Sequence, residues 1–158
     1  IPYGTAFVKN GYVGRTFIKP KQSSRESSVR VKLNVLREAV EGKRVIMIDD
    51  SIVRGTTSDR IVHMLREAGA KEVHMRVSSP PFLWPCYFGT DVPAREQLIA
   101  YNRTVEEIRQ VIGADSLGYL DCSRLRQMAG DLPICTGCFT GNYPLDPPME
   151  DIRGEFEQ

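Results

Sequence analysis

The stretch VIMIDDSIVRGTTS, residues 45–58, decides the fold. Val45, Ile46, Met47 and Ile48 form an unbroken apolar run, which predicts a strand buried on both faces, as in a parallel sheet. Asp49 and Asp50 end the run abruptly. Thr56, Thr57, Ser58 and Asp59 then signal the start of a helix. The buried stripe of that helix is Ile61, Val62, Leu65 and Ala68, and Gly69 marks its end. Val73, Met75 and Val77 alternate as a second strand. Strand, helix and strand at this spacing make a βαβ unit, which is parallel and right-handed. The predicted fold class is therefore α/β.

Ligands of an open parallel sheet bind beyond the carboxyl ends of its strands, where Asp49, Asp50 and Ser51 fall. Two adjacent carboxylates at the end of a buried strand are costly unless something binds them. Sugar hydroxyls, or a magnesium ion holding phosphates, are the natural recipients. Arg54-Gly55-Thr56-Thr57-Ser58 then supplies a cation, a glycine where backbone must approach closely, hydroxyls, and the amides of a helix N-terminus. That is a cradle for a phosphate. No GK[ST] follows the glycine, so it is not a nucleotide P-loop, and the three glycines of a dinucleotide fingerprint are missing.

Outward from this unit the reading is coarser. Residues 1–18 alternate β-branched and aromatic pieces with Gly4, Gly11 and Gly14, as strand fragments joined by turns, and residues 19–28 are polar and Ser-rich. Val31, Val35, Leu36 and Ala39 predict a modest helix from Ser28 that ends before Gly42. Two uncharged stretches, 77–90 and 132–145, are rich in Pro, Gly and aromatics and are expected to contain no helix. Between them, helices are expected at 94–101 and 104–112, the second opened by a Thr104/Glu107 capping box. A strand at Leu117–Leu120 and a short helix at Ser123–Met128 follow. The acidic tail 146–158 is expected to be loosely held.

Composition agrees with one soluble domain: 158 residues, 41% hydrophobic and 26% charged, which excludes disordered, collagenous and disulfide-dense classes. No apolar run reaches the about 18 residues of a membrane span and no secretory leader opens the text, so a cytoplasmic chain with no membrane partner is expected. Starting at Ile1 inside apparent structure, the text reads as part of something larger. Residues 1–40 carry a surplus of six positive charges and the rest a deficit of five. Such a basic front attracts phosphates, but it lacks the aromatics that stack bases, so no nucleic acid partner is expected.

Cys135-Thr-Gly-Cys138 is a CxxC, which by itself leaves a redox pair, a zinc half-site and an iron–sulfur half-site open. Cys86 sits in the apolar shell PPFLWPCYF, of the kind that keeps solvent from a cluster. Cys122 reads as an ordinary semi-buried thiol, His63 and His74 as surface or packing residues, and Trp84 as packing. Disulfides are not expected in a reducing compartment.

The apolar strand, paired acids, short loop and small hydroxyl residues of 45–58 resemble the phosphoribosyl pyrophosphate motif of the type I phosphoribosyltransferases. With IPYGTAFVKNGYVGRTFI (1–18), SPPFLWPCYFGTD (79–91) and CTGCFTGNYP (135–144), the chain from 1 to about 145 is similar to the glutamine phosphoribosylpyrophosphate amidotransferase family. The resemblance implies an incomplete phosphoribosyltransferase-like parallel sheet flanked by helices over 1–80, with a flexible loop at 9–30. A helical and Cys-bearing extension over 81–145 would follow. It implies that Asp49 and Asp50 meet the ribose hydroxyls and magnesium. Arg54, Gly55, Thr56, Thr57 and Ser58 would hold the 5′-phosphate, Ser51 would also bind substrate, and Lys9, Tyr12 and Arg15 would lie on the loop that closes over it. Cys86, Cys135 and Cys138 would be ligands of a 4Fe–4S cluster whose fourth ligand lies upstream, zinc being the alternative metal.

The reaction implied is displacement of pyrophosphate by ammonia, the first committed step of purine synthesis, with no protein nucleophile at the ribose. The glutaminase domain that releases the ammonia and the loop that grips pyrophosphate are not in this text. The stretch is therefore expected to turn over little alone, and a homo-oligomer is expected for the intact enzyme. Another type I phosphoribosyltransferase, a non-catalytic regulator that senses the sugar pyrophosphate, and a purely structural metal module are the competing readings.

Overall fold

The computed structural model describes residues 1–9, 33–89 and 94–146. A parallel sheet is built from β3 (Arg44–Asp49), β4 (Glu72–Val77) and β5 (Ser116–Tyr119), in that spatial order. A separate antiparallel pair joins β1 (Phe7–Lys9) to β2 (Leu33–Val35). Helix α1 (Arg37–Val40) is a single turn, α2 (Thr56–Glu67) links β3 to β4, and α3 (Val105–Val111) lies between β4 and β5. Further on come α4 (Cys122–Ala129) and the single turn α5 (Gly137–Thr140).

Strands laid down in sequential order through right-handed crossovers put both connecting helices on one face of the sheet. The burial follows from this. Val73, Met75 and Val77 are buried on the helix side against Ile61, Val62, Leu65, Ile108 and Ile112, with Val45, Met47, Leu117 and Tyr119 packed around them. The opposite side carries Arg44, Ile46 and Ile48 beside Glu72, His74 and Arg76. Ile46 is 42% exposed and Ile48 74%. The expectation that Val45–Ile48 is buried on both faces is thus corrected. Among the described residues β3 is an edge strand, and only one of its faces is covered.

Asp115 ties the layers together. Its carboxylate accepts from the Val73 amide at 2.6 Å and from Arg66 at 2.9 Å, so one group joins α2, β4 and the approach to β5. The Val73 amide above all, with help from the Arg66 guanidinium, holds its carboxyl below the usual carboxylate range against the opposing effect of burial.

Other expectations are met or revised locally. The capping box at Thr104 is present: its side chain accepts from the Glu107 amide, and the Glu107 carboxylate accepts from the Thr104 amide at 2.7 Å. Replacing Thr104 by Ala is expected to cost about 1 kcal/mol, read as a loss of about 2–4 °C in melting temperature. The strand at 117–120 and the helix at 123–128 appear as β5 and α4. The helix expected from Ser28 is mostly replaced: Leu33–Val35 is β2, paired with Phe7–Lys9, and only Arg37–Val40 is helical. Cross-strand pairing outweighs a weak helical periodicity there. The helix expected at 94–101 reduces to a 3-10 turn at Arg95–Gln97, and the stretch 132–145 contains α5. The tail 147–158 lies outside the described residues.

Candidate functional site

Asp49 is the last residue of β3 and sits level with Val77 at the carboxyl end of the sheet. It is half-buried, and its carboxylate accepts from the Asp50 amide at 3.0 Å. Burial raises its pKa, the Asp50 amide pulls it part of the way back, and the Asp50 charge raises it again. Asp50 is exposed and accepts from the Ser51 hydroxyl at 3.0 Å. The backbone below them is pinned from the residue just past β4, where the Ser78 amide and hydroxyl both donate to the Asp49 carbonyl, at 2.9 and 3.1 Å.

The chain then turns into α2 through Ile52, which is 2% exposed and anchors the loop in the core. Gly55 is the N-cap, with φ +82°, a left-handed conformation that L side chains rarely adopt. Its carbonyl takes the first helical hydrogen bond, from the Asp59 amide at 2.9 Å. No side chain caps this helix, so the amides of its first turn are not claimed by a capping residue. Thr56 and Thr57 are exposed there, and Ser58 is buried. The site expected from the sequence is therefore one contiguous element: paired carboxylates at a strand end, a left-handed glycine, then hydroxyls and amides at the positive end of a 12-residue helix. Such an arrangement can hold a phosphate on one side and a hydroxyl-bearing or metal-bound group on the other.

Lys9 closes β1, well before this loop in the chain, and the structure does not describe its side chain; Tyr12 and Arg15 lie outside the described residues. Sequence reasoning missed the residues that support the loop. Gln97 accepts from Arg54 Nε at 3.3 Å, the Ile99 amide donates to the Val53 carbonyl at 2.8 Å, and the Ile99 side chain lies against Gly55. No local signal marks them, because they lie more than forty residues along the chain. Tyr119 lies in the same row across the sheet as Val77 and Asp49. Its buried hydroxyl has no partner among the described residues, and burial pushes its pKa up to about 12.

Two of the cysteines pack against a second, smaller apolar cluster. Phe82 and Leu98 are its buried centre, with Cys86 and Cys138 packed against them, and the Leu83 and Trp84 amides both donate to the Cys138 carbonyl at 3.0 Å. Burial pushes the Cys138 thiol up to about 11, helped by the nearby thiols of Cys86, Cys135 and Cys122. Among the described residues no group of three or more His, Cys, Asp or Glu side chains is drawn close enough to hold a metal ion. Arg95 lies over the Trp84 ring at 3.4 Å. Beside it an open cleft of about 430 Å³ is lined by Tyr87, Asn142, Tyr143 and Asp146 among others. None of its lining residues belongs to the 49–58 segment, and the paired carboxylates and helix terminus carry the more specific chemistry. His63 is exposed and pairs with Glu67, while His74 bridges Glu72 and Ser116 on the uncovered sheet face. No helix among the described residues is long and apolar enough to cross a membrane.

No protein-family model matches the chain. It is 56% identical over 157 residues to an amidophosphoribosyltransferase of Archaeoglobus fulgidus, covering 97% of this chain and 34% of that protein. To the Bacillus subtilis amidophosphoribosyltransferase it is 55% identical over 152 residues, covering 92% of this chain and 32% of that one. Among solved structures, glutamine phosphoribosylpyrophosphate amidotransferase from B. subtilis, complexed with ADP and GMP, superposes with a TM-score of 0.79 at 54% identity. The match covers 95% of this chain and 34% of that one. The chain thus spans about a third of the length of the relatives it matches, in their C-terminal part.

Proposed function

We propose, from the premise that this chain is homologous over nearly its whole length to the phosphoribosyltransferase part of the amidophosphoribosyltransferases, that it forms the phosphoribosyl pyrophosphate site of such an enzyme. The reaction is attack of ammonia, released from glutamine elsewhere in the protein, on the anomeric carbon, giving 5-phosphoribosylamine and pyrophosphate and opening purine synthesis. The observation that carries this is the continuity of Asp49 and Asp50 with the left-handed Gly55 and the uncapped start of α2.

In this reading the first-turn amides with Thr56, Thr57 and Ser58 take the 5′-phosphate, and Arg54 adds a cation. Ser51 holds the Asp50 carboxylate in place. Asp49 and Asp50 accept from the ribose hydroxyls and offer hard oxygen donors that fit magnesium, which when bound supplies charge for the departing pyrophosphate. Ionised acids below a ribose ring also suit the positive charge that grows there as the bond to pyrophosphate lengthens. No side chain in the loop is suited to attack the sugar, so displacement by ammonia is direct. Lys9, Tyr12 and Arg15, from the basic stretch 9–30, are assigned to the substrate too, in the role of excluding the water that would compete with ammonia.

Cys86 and Cys138 pack against one apolar cluster and Cys135, three residues before Cys138, is exposed; thiolates are soft ligands of the kind a 4Fe–4S cluster or zinc takes. These three would supply ligands to such a group in a structural or regulatory role. The working organisation is a phosphoribosyltransferase core over 1–80, a Cys-bearing extension over 81–145 and an acidic tail over 146–158. The enzyme is placed in the cytoplasm as a homo-oligomer.

The test is calorimetric titration of phosphoribosyl pyrophosphate into the full-length protein with and without magnesium. Saturable, magnesium-dependent binding that weakens about tenfold or more in Asp50→Asn is expected. Binding that ignores both magnesium and the substitution would remove the assignment.

A further inference from the structure

Three successive residues of one segment meet three successive residues of the phosphate loop. Gln97 Oε1 accepts from Arg54 Nε, Leu98 centres the cluster against which Val53 packs, and Ile99 binds the Val53 carbonyl through its amide while its side chain lies over Gly55. Leu98 is 0% and Ile99 3% exposed, so the backbone that carries Gln97 is anchored on both of these side chains. Gln97 and Arg54 are themselves exposed. This is an unusual place for a contact that merely stabilises: two long surface side chains lose rotamer freedom for a single neutral-to-cation hydrogen bond.

The geometry points to Gln97 as a positioning residue for Arg54. A guanidinium has five donors in a rigid plane, and holding Nε fixes the direction of the other edge. The two terminal nitrogens of Arg54 have no protein partner among the described residues, and that fork suits two oxygens of one phosphate. A neutral acceptor orients the cation without neutralising it, as a carboxylate at 97 would. Gln97 therefore fixes the free fork of Arg54 in the direction of the phosphate at the start of α2. The inference rests on the phosphate-loop reading above and adds to it a residue from outside the motif.

The experiment is a double-mutant cycle in the full-length protein, with ribose 5-phosphate as the probe and affinity read by calorimetry. Gln97→Leu is expected to weaken binding about three- to tenfold, with its melting temperature unchanged because the side chain is on the surface. In steady-state kinetics it raises KM for phosphoribosyl pyrophosphate and leaves kcat in place, the mark of lost uniform binding. Arg54→Leu weakens binding further, and the double variant matches Arg54→Leu alone, since Gln97 has nothing left to orient. Unchanged affinity in Gln97→Leu, or losses that multiply in the double variant, overturns the inference while leaving the phosphate loop standing. If the unsubstituted protein fails to bind ribose 5-phosphate, the phosphate-loop reading falls and takes this inference with it.

Discussion

Asp49→Asn is expected to make the protein more stable and its site all but inert. Burial raises the Asp49 pKa, which means the ionised form is disfavoured in the folded chain relative to the unfolded one. For an acid shifted this way the penalty is absent below the unfolded pKa, near about 4, and sets in as pH rises from there through the folded value. The amide of Asn keeps an oxygen to accept from the Asp50 amide and carries no charge. Melting temperature should therefore rise by about 1–3 °C at neutral pH, and the gain should vanish in acid. Affinity for magnesium-bound phosphoribosyl pyrophosphate should fall about 10- to 100-fold, because a charged acceptor for ribose and metal is lost. Thermal melts at several pH values, paired with the titration, check both halves. A variant that binds as well as the parent, or one that melts lower at neutral pH, contradicts the account.

The largest structural effect should come from Gly55→Ala. With φ at +82° any Cβ is strained by about 1–2 kcal/mol, and a Cβ built there also collides with Ile99 Cδ1. Adding about 1–3 kcal/mol for overpacking, the expected loss is about 2–5 kcal/mol, or about 5–15 °C. Phosphate binding should fail along with it, because the loop must shift to relieve the clash. The contact with Ile99 can be separated from the backbone strain. Ile99→Ala alone costs about 2–5 kcal/mol as a cavity, but the double variant should lose about 1 kcal/mol or more less than the sum. Strict additivity would show that Ile99 is not the obstacle.

What the sequence revealed, and what it hid, follows from the range of the forces involved. The strand–acid–glycine–hydroxyl order of 45–58 is contiguous, so the βαβ unit could be read from it and the candidate site proposed from it. The Thr104/Glu107 box likewise closes within one helical turn. The exposure of Ile46 and Ile48 was not legible, because it depends on β3 lying at an edge and on both crossovers taking the same face. Leu33–Val35 read as helix because the partner that makes it a strand, Phe7–Lys9, is a distant segment. Gln97 and Ile99 left no trace for the same reason. Their chemistry appears only once the chain after β4 has folded back across the loop.

That fold-back bears on how the protein matures as it leaves the ribosome. The acids, glycine and helix start are all made by residue 67, and β4 can pair with β3 by residue 77, yet the loop lacks its contacts to Gln97 and Ile99 until residues 97–99 emerge. A nascent chain would therefore possess every group named in the motif before it could grip a phosphate. Competence arrives with the second crossover, after the motif itself has been made.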